Sequence, residues 1–413
     1  MGAVIYLSQG HARFQQAVAK HEGRGRTALV LGGGGITGAA YHLGVLNAMS
    51  AMSRRVTVND FDLFVGTSAG AVVAACLANG IPPDELLRAQ IGQRDGSIPE
   101  IRADEILMPE RKGLLRSAVR WPLGVLGAIR RYAAHPLTTS LIDGFGALAE
   151  GLPPGLYTTD GTEAWMRRLF TSEGRSNRFH ETKRELLITA TDLDAGTRMV
   201  FGASATADVE ISDAAAASTA IPLLYSPRRI GERVYLDGGL RSTTNIDVAI
   251  AHGATLIVCI NPLVPYVHNP GDLLPSATGL ASRDISEKGF PHIAAQTFRI
   301  MATAQVEKEI ELITHAHPEV DIVLIEPRRD DEHLFVFNLM DYASRERVAR
   351  HAFESVAIDL VTHFPDYAKV GKRHGIKLDR QLLLEQLQEI VSGAEPKIFG
   401  GNVAASDRRD TGS

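Results

Sequence analysis

An α/β sandwich built on a mostly parallel sheet is the fold class that this sequence predicts. Short apolar runs typical of buried strands alternate with longer stretches of helical periodicity along most of the chain. Two of the strand-like runs lead directly into glycine-rich turns, at residues 32–38 and 66–70, and a helical stretch follows each turn. Such strand–turn–helix units connect neighbouring parallel strands, because a parallel pair needs a long crossover.

The composition is that of an ordinary globular protein. The 413 residues are 45% apolar and 22% charged, which excludes extended disorder and fibrous structure for most of the chain. The formal net charge is −5, so a nucleic-acid partner is not expected. Cys76 and Cys259 are the two cysteines, too few for a disulfide framework or a cysteine-based metal site.

Export and membrane insertion are not indicated by the sequence. Residues 1–26 lack the apolar core of a secretory signal. No uncharged apolar run reaches the roughly 18 residues that a membrane-spanning helix needs. We therefore expect a cytoplasmic protein, and peripheral contact with a membrane surface stays compatible with this expectation.

Seven short apolar runs are the strand candidates. They are Thr27–Leu31, Phe61–Val65, Leu186–Ala190, Arg198–Phe201, Val234–Leu236, Thr255–Ile260 and Asp321–Ile325. Helices are expected over residues 38–52 and 71–79, where apolar residues recur about once per turn. Residues 1–25, which precede the first strand, are expected to form a loose N-terminal arm.

The last third of the chain differs from the rest in composition and in predicted secondary structure. Residues 263–291 are rich in Pro, Gly and Ser and are expected to form a linker. Residues 292–392 are expected to be mainly helical, with long helices over 292–317 and 344–363. The small, polar segment 393–413 is expected to be a disordered tail.

The first glycine-rich turn fits the pattern GxGxxG, with Gly33, Gly35 and Gly38 between a strand and a helix. Glycines let the backbone approach a ligand, and the helix N-terminus directs free amides at negative charge. These amides suit a nucleotide phosphate, a developing oxyanion or a purely structural turn, and the motif alone leaves all three open. The acid that dinucleotide sites have at the end of the second strand is missing, because Asp60 and Asp62 precede or open that strand.

The second turn fits the pattern GxSxG, with Ser68 between Gly66 and Gly70. This pattern between a strand and a helix indicates a nucleophile elbow, in which a tight turn exposes the serine hydroxyl. The alternative is a turn of small residues with no chemical role. The setting between a strand and a helix favours a nucleophilic Ser68.

Asp237, which follows a short strand, is the candidate acid. A Ser–His–Asp triad of the α/β-hydrolase order would need His252. That histidine lies in a helical run before the strand Thr255–Ile260, so a structural role is favoured for it. His135 and His180 precede the acid and are in the wrong order for this template.

The three motifs Gly33–Gly38, Gly66–Gly70 and Asp237–Gly239, in this order, resemble the patatin-like phospholipases, lipid acyl hydrolases that use a Ser–Asp dyad without histidine. The stretches Leu187–Asp194 and Ala214–Pro222 are also similar to this family. The resemblance covers residues 26–262, the expected catalytic domain. It implies a three-layer α/β/α sandwich, to which the helical C-terminal region is an extension.

The resemblance also implies roles for single residues. Ser68 would be the nucleophile and Asp237 the base. The oxyanion hole would be formed by backbone amides of Gly33, Gly34, Gly35 and Ile36. The motif glycines Gly38, Gly66, Gly70, Gly238 and Gly239 would support these groups. No cofactor and no metal are expected, and the sequence has no HExxH motif.

One position departs from the family pattern. The family usually has Arg or Lys just before the last glycine of the first motif, where this chain has Thr37, and the spacing to Gly44 is one residue longer. The positive charge is therefore missing or is supplied by a basic residue from elsewhere in the chain.

Residues 111–142 contain no acidic residue. Arg111 to Arg131 combine basic side chains with Trp121 and several leucines, a composition typical of an element that contacts anionic lipid headgroups. The alternative is a helical cap whose arginines are solvated. Pro122 favours two pieces joined at a kink.

The first functional reading is a serine lipid acyl hydrolase that cleaves esters of phospholipids or related acyl lipids. An acyltransferase that uses the same dyad is a close variant. A non-enzymatic or nucleotide-binding protein that uses the loop at Gly33–Gly38 is the alternative of a different class. The sequence makes no prediction of the oligomeric state.

Overall fold

The structure is a computed structural model. It describes residues 4–6, 25–53, 55–93, 98–118, 126, 130, 152–206, 208–268, 273–274, 284–331, 334 and 339–391. The expected tail at 393–413 and most of the basic stretch at 111–142 lie outside the described residues.

A mixed, mostly parallel sheet forms the centre of the molecule. The described strands are β1 (Val4–Tyr6), β2 (Arg26–Leu31), β3 (Leu63–Thr67), β4 (Met108–Pro109), β5 (Gly155–Thr158), β6 (Glu185–Asp192), β7 (Thr197–Phe201), β8 (Leu223–Tyr225), β9 (Arg228–Ile230), β10 (Arg233–Asp237), β11 (Ala254–Ile260) and β12 (Asp321–Ile325). The central sheet has the order β1-β12-β11-β2-β3-β6-β10-β9, and β7 also pairs with β6. Strands β4, β5 and β8 form a separate small sheet.

Strand direction divides the central sheet into two parts. The pairs from β1 across to β6 are all parallel. Beyond β6 the pairs with β7 and β10, and the pair β9–β10, are antiparallel. The predicted mostly parallel sheet is confirmed, and each of the seven predicted strands is present with both ends within two residues of the expected ones.

Helices cover both faces of the sheet. The described helices are α1 (Gly35–Ser50), α2 (Ala69–Ala78), α3 (Pro83–Gln90), α4 (Ala103–Ile106), α5 (Asp160–Phe170), α6 (Ile211–Ser218), α7 (Ile246–Ala251), α8 (Phe290–Ala316), α9 (Arg345–Thr362), α10 (Phe364–Arg373) and α11 (Arg380–Val391). Residues 111–118 are also helical.

The alternating direction of the side chains along β2 explains why helices pack on both faces of the sheet and make three layers. Leu29 and Leu31 belong to one core, with side chains of α1, α2, α3 and α9. Ala28 and Val30 belong to a second core, with side chains of α7 and α8. Successive side chains of a strand point to opposite faces, so the two cores lie on the two sides of the sheet. The α/β/α sandwich with a helical C-terminal region is confirmed.

The C-terminal region is built into the same sheet and the same core. β12 pairs with β11, and Val348, Ala352 and Val356 of α9 are buried in the core shared with α1. β1, from the expected N-terminal arm, pairs with β12. The sequence-based boundaries at residues 25 and 262 therefore separate strands that share one sheet.

The expected linker at 263–291 packs where it is described. Leu263, Val264, Tyr266 and Leu274 are buried, and both the backbone amide and the carbonyl of Tyr266 hydrogen-bond the side chain of Gln296 in α8. Helix α8 begins at Phe290, two residues before its expected start. The apolar side chains between the prolines and glycines explain why these parts pack against the domain.

Candidate active site

Ser68 lies in a tight turn between β3 and α2. Its backbone has φ 54° and ψ −127°, a conformation that residues other than glycine rarely adopt. A Cβ added to Gly70 would lie 2.1 Å from the carbonyl oxygen of Leu31, and one added to Gly66 would lie 2.5 Å from Cα of Ala71. Only glycine fits at both positions, as the nucleophile-elbow pattern requires.

A buried serine supports this turn. The amide of Ser68 donates to Oγ of Ser218, at 2.7 Å. The Ser218 hydroxyl in turn donates to the carbonyl oxygen of Thr189, also at 2.7 Å. These two bonds fix the orientation of the strained peptide. The sequence argument did not assign Ser218 a role, although it lies in the family-like stretch Ala214–Pro222.

Asp237, the last residue of β10, lies against Ser68. The Ser68 hydroxyl donates to Oδ2 of Asp237 at 2.5 Å, and the amide of Gly239 donates to Oδ1 at 2.7 Å. Burial raises the pKa of Asp237 from 3.8 to about 6, although both hydrogen bonds lower it. A Cβ on Gly238 would lie 2.4 Å from the carbonyl oxygen of Thr189, so glycine is required there as well.

The glycine loop passes close to Ser68. A Cβ on Gly33 would lie 3.4 Å from Cβ of Ser68. The amide of Gly33 donates to the carbonyl oxygen of Thr243 at 3.1 Å, a bond that would have to break before Gly33 could act as an oxyanion donor. Within the described residues, the amides of Gly34, Gly35 and Ile36 have no hydrogen-bond partner. They lie at the N-terminal end of α1, where the first amides of a helix lack intrahelical acceptors.

Thr37 is held by the backbone of a distant segment. Its amide donates to the carbonyl oxygen of Leu339 at 3.2 Å, and its hydroxyl lies 3.4 Å from the same oxygen. A pocket on this side of α1 is lined by Thr37 together with Arg299, Arg328 and Arg329. Burial lowers the pKa of Arg299 to about 10, so it remains charged at neutral pH. Basic side chains from the C-terminal region thus lie near the position where the family usually has Arg or Lys.

An apolar pocket opens beside Ser68. Gly35, Ile36, Ser68 and Ala69 line one part of it. Most other lining side chains are apolar and come from α1, α2, α3 and their surroundings: Ala39, Leu43, Val72, Val73, Cys76, Leu86, Ala89, Ile101, Ile106, Trp165, Ile221, Tyr225 and Met340. The pocket therefore suits a hydrocarbon chain.

A polar network lies behind the serine turn. Asn245, in the left-handed region at φ 56°, donates from Nδ2 to the hydroxyls of Thr67 and Thr189, at 2.9 and 3.1 Å. The two threonine hydroxyls are 2.9 Å apart. These buried bonds connect the end of β3 to β6 and to the segment after Asp237. The sequence argument did not identify this network, because its members are far apart in the chain.

The histidine alternative is not supported by the geometry. His252 Nδ1 lies 2.9 Å from a carboxylate oxygen of Glu185, and Arg26 donates to the carbonyl oxygen of His252 at 2.7 Å. Arg26 and Glu185 begin β2 and β6, so this cluster lies at the amino edge of the parallel strands. Ser68 follows the end of β3, at the opposite edge, roughly 17 Å away for a five-residue strand.

Neither a metal site nor a dinucleotide site is favoured at the other acidic groups. Among the described residues, Glu163, Glu210 and Asp213 lie within ligand distance of one another, but the guanidinium of Arg167 forms ion pairs with all three. Asp62 accepts from the amide and the hydroxyl of Thr27, at the amino edge of the sheet. It is therefore remote from the glycine loop.

No helix in the described part of the chain is both long enough and apolar enough to cross a membrane.

Comparison with curated proteins identifies a viral relative. The chain is 22% identical over 224 residues to a protein named "Probable lipid hydrolase 463L" from Invertebrate iridescent virus 6. The aligned region is 54% of this chain and 63% of the relative. The chain thus spans less than two thirds of the length of this relative.

Two solved structures are similar at low TM-scores. The crystal structure of VipD from Legionella pneumophila matches with a TM-score of 0.30 and 14% identity, over 91% of this chain and 82% of that chain. The structure of full-length ExoU with SpcU, from the type III secretion system of Pseudomonas aeruginosa, matches with a TM-score of 0.28 and 15% identity, over 90% and 60%.

The family model for patatin-like phospholipases matches residues 29–250. This range begins in β2, includes the serine turn and Asp237, and ends in α7. It is more than half of the 413 residues. The chain belongs to the patatin-like phospholipase family.

Proposed function

We propose that this protein is a serine acyl hydrolase that cleaves ester bonds of phospholipids or related acyl lipids, with Ser68 as nucleophile and Asp237 as base. One observation carries the proposal: the 2.5 Å hydrogen bond from the Ser68 hydroxyl to Asp237, made beside an apolar pocket that Ser68 itself lines. Family membership supports the choice of lipid esters as the substrate class.

Asp237 is a stronger base than an ordinary aspartate. Its pKa of about 6 lies closer to neutral pH than the usual value of about 3.9, and a base is most effective when its pKa is near the working pH. The carboxylate accepts the Ser68 proton while Oγ forms a bond to the ester carbonyl carbon. The alcohol then leaves with that proton. In the second half-reaction water attacks the acyl-enzyme while Asp237 accepts its proton, and the Ser68 oxygen leaves with that proton.

The amides of Gly34, Gly35 and Ile36 are the proposed oxyanion donors. They have no partner in the described structure, and the positive end of α1 adds to their effect. A single donor in a comparable hole contributes about 3–4 kcal/mol to transition-state stabilisation. In a Ser–His–Asp triad the histidine becomes positively charged as it takes the serine proton. The oxyanion donors compensate for the absence of that charge in a Ser–Asp dyad.

The pocket is the proposed acyl-binding site. Along α1 its lining runs from Gly35 to Leu43, and along α2 from Ala69 to Cys76. Eight residues of helix rise about 12 Å. An extended acyl chain of medium length therefore fits between the two helices while its carbonyl carbon stays at Ser68.

Labelling and a lipid panel test this function together. Wild-type protein should react with a fluorophosphonate probe and release fatty acid from phospholipid or another acyl lipid. Ser68→Ala and Asp237→Asn should lose activity by about 10³-fold or more, as in other hydrolases that lose a nucleophile or base, and Ser68→Ala should not be labelled. Transfer of the acyl group to an added alcohol, in place of free fatty acid, would identify the acyltransferase variant.

Ser50→Ala is a matched control for the loss of a serine hydroxyl. Ser50 lies at the end of α1 and donates to the carbonyl oxygen of Leu46. This variant should keep wild-type labelling and activity. Full activity in a folded Ser68→Ala protein would refute the proposed function.

A further inference from the structure

Leu223 is an unusually placed leucine. It is 86% exposed, the highest value among the large apolar side chains of the described chain. Its backbone has φ 68°, in the left-handed region that is strained for leucine. The fold thus holds a large apolar side chain in water, in a backbone conformation that glycine would adopt without strain.

Leu223 lies at the rim of the apolar pocket. Two residues before and two residues after it, Ile221 and Tyr225 line the pocket that contains Ser68. In the small sheet Leu223 pairs with Gly155 of β5, which has no side chain to cover it. The exposed leucine is therefore attached directly to the wall of the proposed acyl site.

Neighbouring segments bring further exposed leucines and positive charge. β4 and β5 pair, and the amide of Glu110 donates to the carbonyl oxygen of Leu156 at 3.0 Å. The helical segment 111–118 begins there, and a Cβ on Gly113 would lie 3.4 Å from Pro154. The exposed apolar residues of these segments are Leu114, Leu115, Leu152 and Leu156, and the exposed basic residues are Arg111, Lys112 and Arg116.

We propose that these eight residues form a pocket-rim surface that docks on anionic lipid bilayers, with Leu223 entering the acyl region. The surface consists of Leu114, Leu115, Leu152, Leu156, Leu223, Arg111, Lys112 and Arg116. This inference rests on the proposed function, because it supplies the route by which an acyl chain enters the pocket without crossing water.

The basic and apolar side chains of the pocket-rim surface favour a lipid bilayer as its binding partner. Basic side chains next to exposed leucines attract anionic headgroups while the leucines enter the hydrocarbon boundary. The stretch 111–142 has no acidic residue that would oppose this attraction. The strained backbone at Leu223 keeps the side chain exposed in the free protein, and this exposed side chain is stabilised once it enters the bilayer. Backbone strain of this kind is typical of functional sites.

Vesicle binding by a glycine variant tests this surface. Leu223→Gly removes the side chain and relieves the backbone strain, so it should fold at least as well as wild type. Its affinity for vesicles of phosphatidylglycerol and phosphatidylcholine should fall by about tenfold, the scale of one leucine side chain leaving an apolar phase. The ratio of its rate on vesicle lipid to its rate on a monomeric short-chain ester should fall similarly.

Leu312→Ser is the matched control. Leu312 is 61% exposed on α8, away from the small sheet, and this variant should bind vesicles and hydrolyse both substrates as wild type does. A second arm replaces Arg111 and Arg116 by Glu, which should weaken binding to anionic vesicles most strongly at low salt.

The outcomes separate this inference from the proposed function. Equal vesicle affinity of wild type and Leu223→Gly would overturn the docking surface, as would equal, salt-insensitive binding to neutral vesicles. A dimer of wild type that dissociates in Leu223→Gly would also overturn it, in favour of an interface between two copies. Absence of hydrolysis of the monomeric ester by wild type would instead overturn the proposed function.

Discussion

In the proposed mechanism, Asp237 meets two demands at the scale of a single residue. It must be buried beside Ser68, which raises its pKa, and it must be ionised to accept a proton. The hydrogen bonds from Ser68 and Gly239 limit the effect of burial, so the pKa is about 6. With this pKa the carboxylate is ionised at neutral pH, as the proposed role of general base requires.

The pH dependence of the reaction follows from this value. Since Asp237 accepts the proton only when ionised, kcat/KM should rise with pH through about 6 and stay level above about 7. Initial rates on a soluble ester at fixed ionic strength between pH 4.5 and pH 8.5 would measure this profile. A profile without an inflection near pH 6 would argue against Asp237 as the base.

Gly33 and Ser218 show that sequence motifs do not specify the hydrogen-bond partners of single residues. Gly33 fits the glycine pattern, but its amide is bonded to Thr243, so it is not among the proposed oxyanion donors. Ser218 fits no motif, but it orients the Ser68 amide. Hydrogen-bond partners from distant segments decide both cases, and a linear pattern does not contain them.

The elements of the site are joined by close backbone contacts. α1, which carries the glycine loop at its start, packs on α9 at Gly44. A Cβ at Gly44 would lie 2.3 Å from the carbonyl oxygen of Ala349 and 2.8 Å from Cβ of Ala352. Both are parts of a rigid helix, so neither moves away without displacing α9.

Gly44→Ala should therefore destabilise the protein by about 2 kcal/mol, the net effect at the upper end of the overpacking cost. Overpacking of a tight interface costs about 1–3 kcal/mol or more, and this cost outweighs the gain of about 1 kcal/mol that alanine offers in a helix. Chemical denaturation would measure the difference. Ser50→Ala in the same helix should change the stability by less than about 0.5 kcal/mol, and an equal effect of both substitutions would contradict this account of the interface.

At the scale of the whole molecule, the proposed catalytic groups and a second polar cluster lie at opposite edges of the central sheet. The glycine loop, Ser68 and Asp237 lie around the carboxyl ends of β2, β3 and the antiparallel β10. Arg26, Glu185 and His252 form a polar cluster at the amino edge. Ligands of open α/β sheets bind outside the carboxyl ends of the strands, so we expect the amino-edge cluster to have a structural role.

His252→Ala tests this division. It removes a partly exposed contact with Glu185, so it should lower the stability by up to about 1 kcal/mol and leave the rate of ester hydrolysis within about twofold of wild type. Thermal unfolding and initial rates, compared with Asp237→Asn, would show both effects. Loss of hydrolysis in a folded His252→Ala protein would restore the triad hypothesis.

Sequence alone determined seven of the strands, the serine and glycine turns and the acid at the end of β10. These features are local, because a buried strand, a tight glycine turn and a helix start each depend on a few consecutive residues. The tertiary structure decided which amides remain free at the glycine loop, which edge of the sheet each polar group occupies, and how β1 and β12 extend the sheet. It also decided that Leu223 is exposed between two residues that line the pocket, Ile221 and Tyr225. Such properties depend on contacts between residues that are tens to hundreds of positions apart, and no local pattern specifies which distant partner meets a given group.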